Sequence, residues 1–342
     1  MTLSFRKTET TTRLINPFRD FSLDEIPSEI RFDPLTGQTG RVFNLPYKSE
    51  PTDWTDTVKR SRESFCPFCE EALEKSTPLF PEDIIPEGRI RVGGATLIPN
   101  LVPFDKYAGV CIMTRSHYVP MEDWTRDKMK DAFRASKRFL TEISKEDSNV
   151  NYFSINWNFM PPAGSSIVHP HLQPNCGEVP TNEHRLQMEG CRLHRKNTGK
   201  SFWDDFMEAE RANGERYIGE IGSTFWAMSF VPQGFLPDVW CLFQNRNSVI
   251  LAEDSAFDAF LNGITGVLKY FHNENISSFN LSIFSVKDDT DFRINARICP
   301  RLLPRPIGNS DIAYLQMLHK ESFCVRPPES ECPKVREIFQ NL

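Results

Sequence analysis

The chain has 342 residues, 39% hydrophobic and 25% charged, enough for one large or two medium cores. Its net charge of −6 argues against a general nucleic-acid or membrane-surface binder, so any phosphate ligand has to be held by local groups. No apolar run approaches the roughly 18 residues that cross a bilayer, and residues 1–18 lack the apolar stretch of a signal peptide. Nine cysteines, an odd number and mostly scattered, read as reduced thiols of a cytoplasmic protein.

Residues 1–60 are polar, with Arg31-Phe-Asp-Pro-Leu-Thr-Gly37 as a turn between extended segments. Ser64-Phe-Cys-Pro-Phe-Cys69 holds a C-x-x-C spacing, which reads as half of a zinc site or as a redox pair. A redox pair wants a strand before it and a helix after it; residues 58–64 are polar and charged, so zinc is preferred. Residues 89–99 and 108–114 are β-rich runs joined around Asn100, Pro103 and Phe104, and Arg115-Ser-His117 follows. Residues 121–144 have helical periodicity, with Trp124, Met129, Phe133, Phe139 and Ile143 in one stripe. A strand at 152–157 leads to Gly164-Ser-Ser-Ile-Val-His-Pro-His-Leu-Gln173, followed by a polar connection and a short helix at 201–213.

The order then recurs. Strands at 225–231 and 239–244 precede Arg246-Asn-Ser248, a helix at 255–273 and a strand at 279–284. Ser154 to His169 and Ser282 to Arg297 are both 15 residues, which reads as a degenerate internal duplication. In that register His117 faces Ser248, His169 faces Arg297 and His171 faces Cys299, so the chemistry belongs to the first copy. The expected fold is α+β, with an N-terminal catalytic half at 1–200 and a degenerate half at 201–342.

Residues two apart on a strand share a face, so His169, His171 and Gln173 are expected to point at one spot. Gly164, Ser165 and Ser166 make a small-residue bend able to offer N–H groups and a hydroxyl to an anion. An imidazole beside such groups suits a nucleophile or general base. H-x-H by itself leaves buried or metal-bound histidines open.

Together these motifs resemble the galactose-1-phosphate uridylyltransferase family, the nucleotidyltransferase branch of the histidine-triad superfamily. Asn158, Gly164, Ser166, His169-Pro-His171 and Gln173 match its active-site strand. The likeness extends to Asp33-Pro-Leu-Thr-Gly37, Cys66-x-x-Cys69, Asn100 and Arg115-Ser-His117, and covers most of residues 30–300, weakly after 200. It implies duplicated histidine-triad-like units, an antiparallel sheet with helices packed on it. It also implies Cys66, Cys69, His117 and His169 as ligands of a structural Zn2+, a closed four-ligand set. His171 would be the nucleophile, with Nε2 attacking the α-phosphorus of a nucleotide sugar and releasing a sugar 1-phosphate before an acceptor takes the nucleotide. The His169 carbonyl would orient it, and zinc would hold that carbonyl still.

The same resemblance puts Gln173 and Ser166 on phosphoryl oxygens and Asn100 on a ribose. Asn158, Gly164 and Ser165 would join them in the substrate site, with Arg31 in reach of a substrate phosphate. A homodimer is implied. Leu101 and Leu172 depart from the family pattern and leave uridine and galactose specificity open. Three activities fit: nucleotidyl exchange between a nucleotide sugar and a sugar 1-phosphate, an ADP-glucose or diadenosine tetraphosphate phosphorylase using phosphate, or a silent nucleotide-binding protein. The retained His171 weighs against the last. Arg301, Arg305 and Arg326 read as a solvated face, or as a clamp on a sugar phosphate.

Overall fold

The computed structural model describes residues 3–304 and 308–342. The chain begins with a ribbon of β1 (Lys7–Asn16) and β2 (Ser22–Phe32), paired antiparallel from Lys7↔Arg31 to Asn16↔Ser22. A threonine-rich β1 suits this extended form, because β-branched side chains fit a pleated surface. β3 (Thr39–Phe43) pairs with the base of β2. Two short helices, α1 (Thr55–Glu63) and α2 (Glu70–Ser76), bracket the cysteine knuckle.

Next come β4 (Ile90–Val92), β5 (Ala95–Pro99), β6 (Tyr107–Ile112), α3 (Arg126–Glu146), β7 (Tyr152–Phe159) and β8 (His171–Gly177). The run at 89–99 is a hairpin turned at Gly93-Gly94. The stretch after β8, read as a polar connection, is α4 (Asn182–Thr198), followed by α5 (Phe202–Asn213). The second half repeats the first: β9 (Tyr217–Ile221), β10 (Thr224–Met228), β11 (Val239–Phe243), α6 (Asp254–Asn273), β12 (Ser278–Val286) and β13 (Asn295–Arg301). The chain ends with α7 (Tyr314–His319), β14 (Ser322–Cys324), which pairs in parallel with β3, and α8 (Pro328–Phe339).

Ten strands form one antiparallel sheet in the order β4-β5-β6-β8-β7-β12-β13-β11-β10-β9, so each half is the mirror order of the other. Its centre is the pair Ile155↔Ile283, from the equivalent strands β7 and β12. The duplication is therefore real, and the fold is α+β with an antiparallel sheet. One detail is corrected by the ladder. Ser154 pairs with Asn175 and Ser282 with Arg297, so Arg297 corresponds to Asn175, not to His169. The loop between β7 and β8 is longer than the one between β12 and β13, and equal counting along the sequence missed that difference.

β7 alternates strictly. Phe153, Ile155, Trp157 and Phe159 are buried under α3 and α6, while Tyr152, Ser154, Asn156 and Asn158 stay half-buried on the opposite face. Burial of each such large apolar side chain stabilises by about 1.5–3 kcal/mol. Core and polar face are thus sorted by a period of two. α8 does not cover the histidines; Phe339 packs edge-on to Trp226 at 5.4 Å, closing the core of the second half. Among the described residues, no helix is long and apolar enough to cross a membrane.

Candidate active site and metal centre

Phe65, held at φ 107° with its ring exposed, swings the chain into the knuckle. The ligand atoms of Cys66, Cys69, His117 and His169 all lie within 4.8 Å of one another, and all four residues are buried. His169 Nε2 donates to the Thr114 carbonyl at 2.8 Å, which leaves the Nδ1 lone pair facing Cys66 Sγ at 3.7 Å and Cys69 Sγ at 3.8 Å. His117 Nδ1 sits 3.4 Å from Cys69 Sγ, with its Nε2 at 2.8 Å from Ser61 Oγ. A tetrahedron with Zn–S of about 2.3 Å and Zn–N of about 2.0–2.1 Å has a sulfur–nitrogen edge of roughly 3.5 Å. The donor set fits a closed tetrahedral metal.

The electrostatics agree. Burial, with His117 and His171 nearby, holds the His169 imidazole down at about 4. Burial and the neighbouring Cys66 push the Cys69 thiol up to about 11. Lone pairs from two neutral rings and two sulfurs are thus crowded together in a dry site, an arrangement a divalent cation relieves.

His169 and His171 both stand edge-on to Phe68, at 6.1 Å and 5.3 Å, on the face of the sheet that carries the knuckle, but the two rings meet different partners. Pro170 has no N–H to give to a ladder, β8 begins only at His171, and the His169 ring turns to the knuckle. His171 and Gln173 do come together. His171 Nδ1 donates to the His169 carbonyl at 2.8 Å, so Nε2 carries the lone pair. Gln173 Nε2 points at that nitrogen from 3.5 Å. The ring is 6% exposed, and burial keeps its pKa below the usual histidine value. Phe68, not singled out from the sequence, stands edge-on to it at 5.3 Å; its place between the two cysteines was the available signal.

Across from this strand, Asn156 donates to the Gln173 carbonyl at 2.9 Å, and by the same register Asn158 lies opposite His171. The Gly164 bend exists: a turn over Pro161–Ala163 ends with Gly164 N–H donating to the Pro161 carbonyl at 2.8 Å. Gly164 has φ +83°, a conformation that favours glycine. Ser165 is buried and donates to the Ile167 carbonyl at 2.7 Å, whereas the Ser166 side is exposed. Asn100 is half-buried, and its Oδ1 accepts from Val102 N–H at 3.0 Å.

Arg31 is not brought to the histidines. Only 3% exposed, it donates to both oxygens of Glu329 at 2.9 Å, to Glu29 at 2.7 Å and to the Phe230 carbonyl at 3.1 Å. Arg301 and Arg326 are not a solvated face: Arg301 is clasped by Asp311, and Arg326 donates to the Tyr47 carbonyl and to Glu274. Arg305 lies outside the described residues.

No family model matches the sequence. A protein of Archaeoglobus fulgidus described as uncharacterized is 32% identical over 323 residues, covering 94% of this chain and 95% of that one. Among solved structures, the chain is similar to an ADP-glucose phosphorylase of Arabidopsis thaliana with bound ADP-glucose, at 18% identity and TM-score 0.70, covering 91% and 99% of the two chains. A galt-like protein of the same plant gives TM-score 0.69 at 18% identity, with coverage of 91% and 98%. A uridylyltransferase structure gives 0.65 at 16% identity, with coverage of 91% and 99%.

Proposed function

We propose, for a chain that belongs to one family with the Archaeoglobus protein and has the fold of the GalT-like proteins, that it is a nucleotidyltransferase working through His171. It moves a nucleoside monophosphate between a nucleotide sugar and a sugar 1-phosphate. The carrying observation is the Nδ1–H bond from His171 to the His169 carbonyl, which leaves Nε2 as a neutral, oriented nucleophile.

In the first half-reaction a bond forms from Nε2 to the α-phosphorus, and the bond to the leaving phosphate oxygen breaks. The sugar leaves as its 1-phosphate. The imidazole gains positive charge, which the His169 carbonyl stabilises. An acceptor phosphate oxygen then attacks the same phosphorus, and the N–P bond breaks. Gln173 and Ser166, with the Gly164–Ser165 bend and Asn158, would bind the phosphoryl oxygens where charge builds. Asn100 would take the ribose. Cys66, Cys69, His117 and His169 would hold zinc; with no open position it supplies rigidity to the carbonyl beside His171.

A second reading, a phosphorylase with inorganic phosphate as acceptor, draws on the likeness to the ADP-glucose phosphorylase structure. The nine free thiols, eight of them buried, go with a cytoplasmic setting. A homodimer is part of the proposal. The ribbon's tip exposes Ile15, Phe18, Phe21 and Leu23, and a two-stranded ribbon is marginal alone in water, so a second copy is the cover we assign.

The test is isotope exchange. Labelled glucose 1-phosphate should enter UDP-glucose or ADP-glucose with no other acceptor present, and labelled phosphate should enter ADP in the phosphorylase form. Exchange of neither label, with ligand still bound, would leave a binding protein.

A further inference from the structure

Asn280 lies on β12 in the second half, outside every motif that stands out in the sequence, yet it reaches into the site. Its Oδ1 accepts from Arg301 Nη1 at 2.8 Å. Its Nδ2 donates to Asn158 Oδ1 at 2.7 Å and to the Ala163 carbonyl at 2.8 Å. Arg301 is itself fixed, with Nε and Nη2 both on the Asp311 carboxylate at 2.7–3.1 Å, and Asp311 is 5% exposed.

Hydrogen-bond chemistry leaves this chain only one direction. A guanidinium can only donate, so the atom of Asn280 facing it must be the oxygen. A backbone carbonyl can only accept, so the atom facing Ala163 must be the amide nitrogen. Both ends impose the same orientation on Asn280. Asn158 must then offer its oxygen to Asn280, and its own NH2 is turned away. Among the described residues that NH2 has no protein partner. Carried one pair beyond Asn156↔Gln173, the register sets Asn158 across from His171, so the free donor belongs to the face that carries the nucleophile. The second bond, to Ala163, holds the residue next to Gly164.

We propose that Asn280, locked by Arg301 and Asp311, is a positioning residue that fixes the Asn158 amide with its NH2 toward the α-phosphate and holds the Gly164 bend. The inference rests on the nucleotidyltransferase reading. The second half of the duplication, without a histidine of its own at this place, thereby serves the site of the first. A neutral carbonyl turned toward the phosphate would repel it, whereas the NH2 stabilises charge as it builds.

Asn280→Asp separates orientation from mere packing. A carboxylate can only accept, so Asn158 has to rotate and give its NH2 to the introduced carboxylate, leaving its oxygen toward the ligand. Arg301 gains a charged partner while the bond to the Ala163 carbonyl is lost, so the fold should survive with a melting temperature lowered by a few degrees at most, which the thermal melt checks. Calorimetry with UDP-glucose and ADP-glucose, beside the rate of adduct formation, should show nucleotide-sugar affinity or adduct rate reduced at least tenfold. In an Asn158→Leu background the same change should cost clearly less than in the wild type, because the Asn158 route is gone and only the bond to the Ala163 carbonyl is left to lose.

Equal affinity and rate for the wild type and Asn280→Asp would overturn the inference. So would full additivity in the double variant, since that is what a structural role predicts. A wild type that binds the nucleotide sugar but forms no adduct would sink the transferase reading alone, with the affinities still judging Asn280. A wild type that binds neither sugar nucleotide would overturn both.

Discussion

His184 gives the sharpest handle on stability. It is 1% exposed at the start of α4, packed against Phe284 at 5.4 Å and Tyr152 at 5.9 Å. Its Nε2 donates to the Phe153 carbonyl at 3.2 Å, and Nδ1 accepts from Thr181 Oγ at 2.8 Å. Burial holds its pKa at about 4, against 6.5 in an open chain. The folded value is the lower one, so the unfolded chain takes up the proton first as pH falls. The contribution is intact above 6.5 and drains away between 6.5 and about 4. At about 1.36 kcal/mol per pKa unit the full loss is roughly 3 kcal/mol, of which roughly 2 has gone by pH 5. Urea unfolding of the wild type and His184→Gln at pH 7 and pH 5 isolates this contribution, because every other group is common to both proteins. The wild type should lose roughly 2 kcal/mol more than the variant across that interval. Equal losses would refute the buried, neutral histidine.

Phe68 shields His171, so Phe68→Ala should raise the acid limb of adduct formation toward 6.5, while the wild-type limb lies lower. A pH–rate profile with an unmoved limb would assign the shift elsewhere. Purified protein should carry about one zinc per chain, and Cys66→Ser or His117→Ala should lose it along with several degrees of melting temperature; undiminished metal by mass spectrometry would remove these ligands from the account. Sedimentation should find a dimer that Phe18→Asp with Phe21→Asp divides, and an unchanged dimer would place the interface away from the ribbon tip.

Legibility from sequence followed how local the cause was. α3, β7 and the repeat of both in α6 and β12 were readable, since the apolar period alone sets them. α4 was not: its buried stripe is His184, Gln187, Met188 and Cys191, helical in spacing but polar in composition. The knuckle and its histidines were legible through spacing and resemblance, and the structure gathers all four. That the His169 ring goes to the cysteines while the His171 ring goes to Gln173 depends on where the folded knuckle sits against the sheet, which spacing alone does not give. Arg31 looked available beside a turn, but Glu329, nearly three hundred residues on, occupies its guanidinium. Asn280 was invisible because its meaning lies in Asn158, Ala163 and Arg301, partners that only the folded sheet assembles.

A covalent bond to His171 Nε2 is the central claim. Intact mass after mixing the protein with UDP-glucose or ADP-glucose, without acceptor, addresses it directly. The predicted result is a gain equal to UMP or AMP that maps to the peptide holding His171 and is absent from a folded His171→Ala. A protein that binds the nucleotide sugar yet keeps its unmodified mass, or one whose adduct persists in His171→Ala, would contradict it.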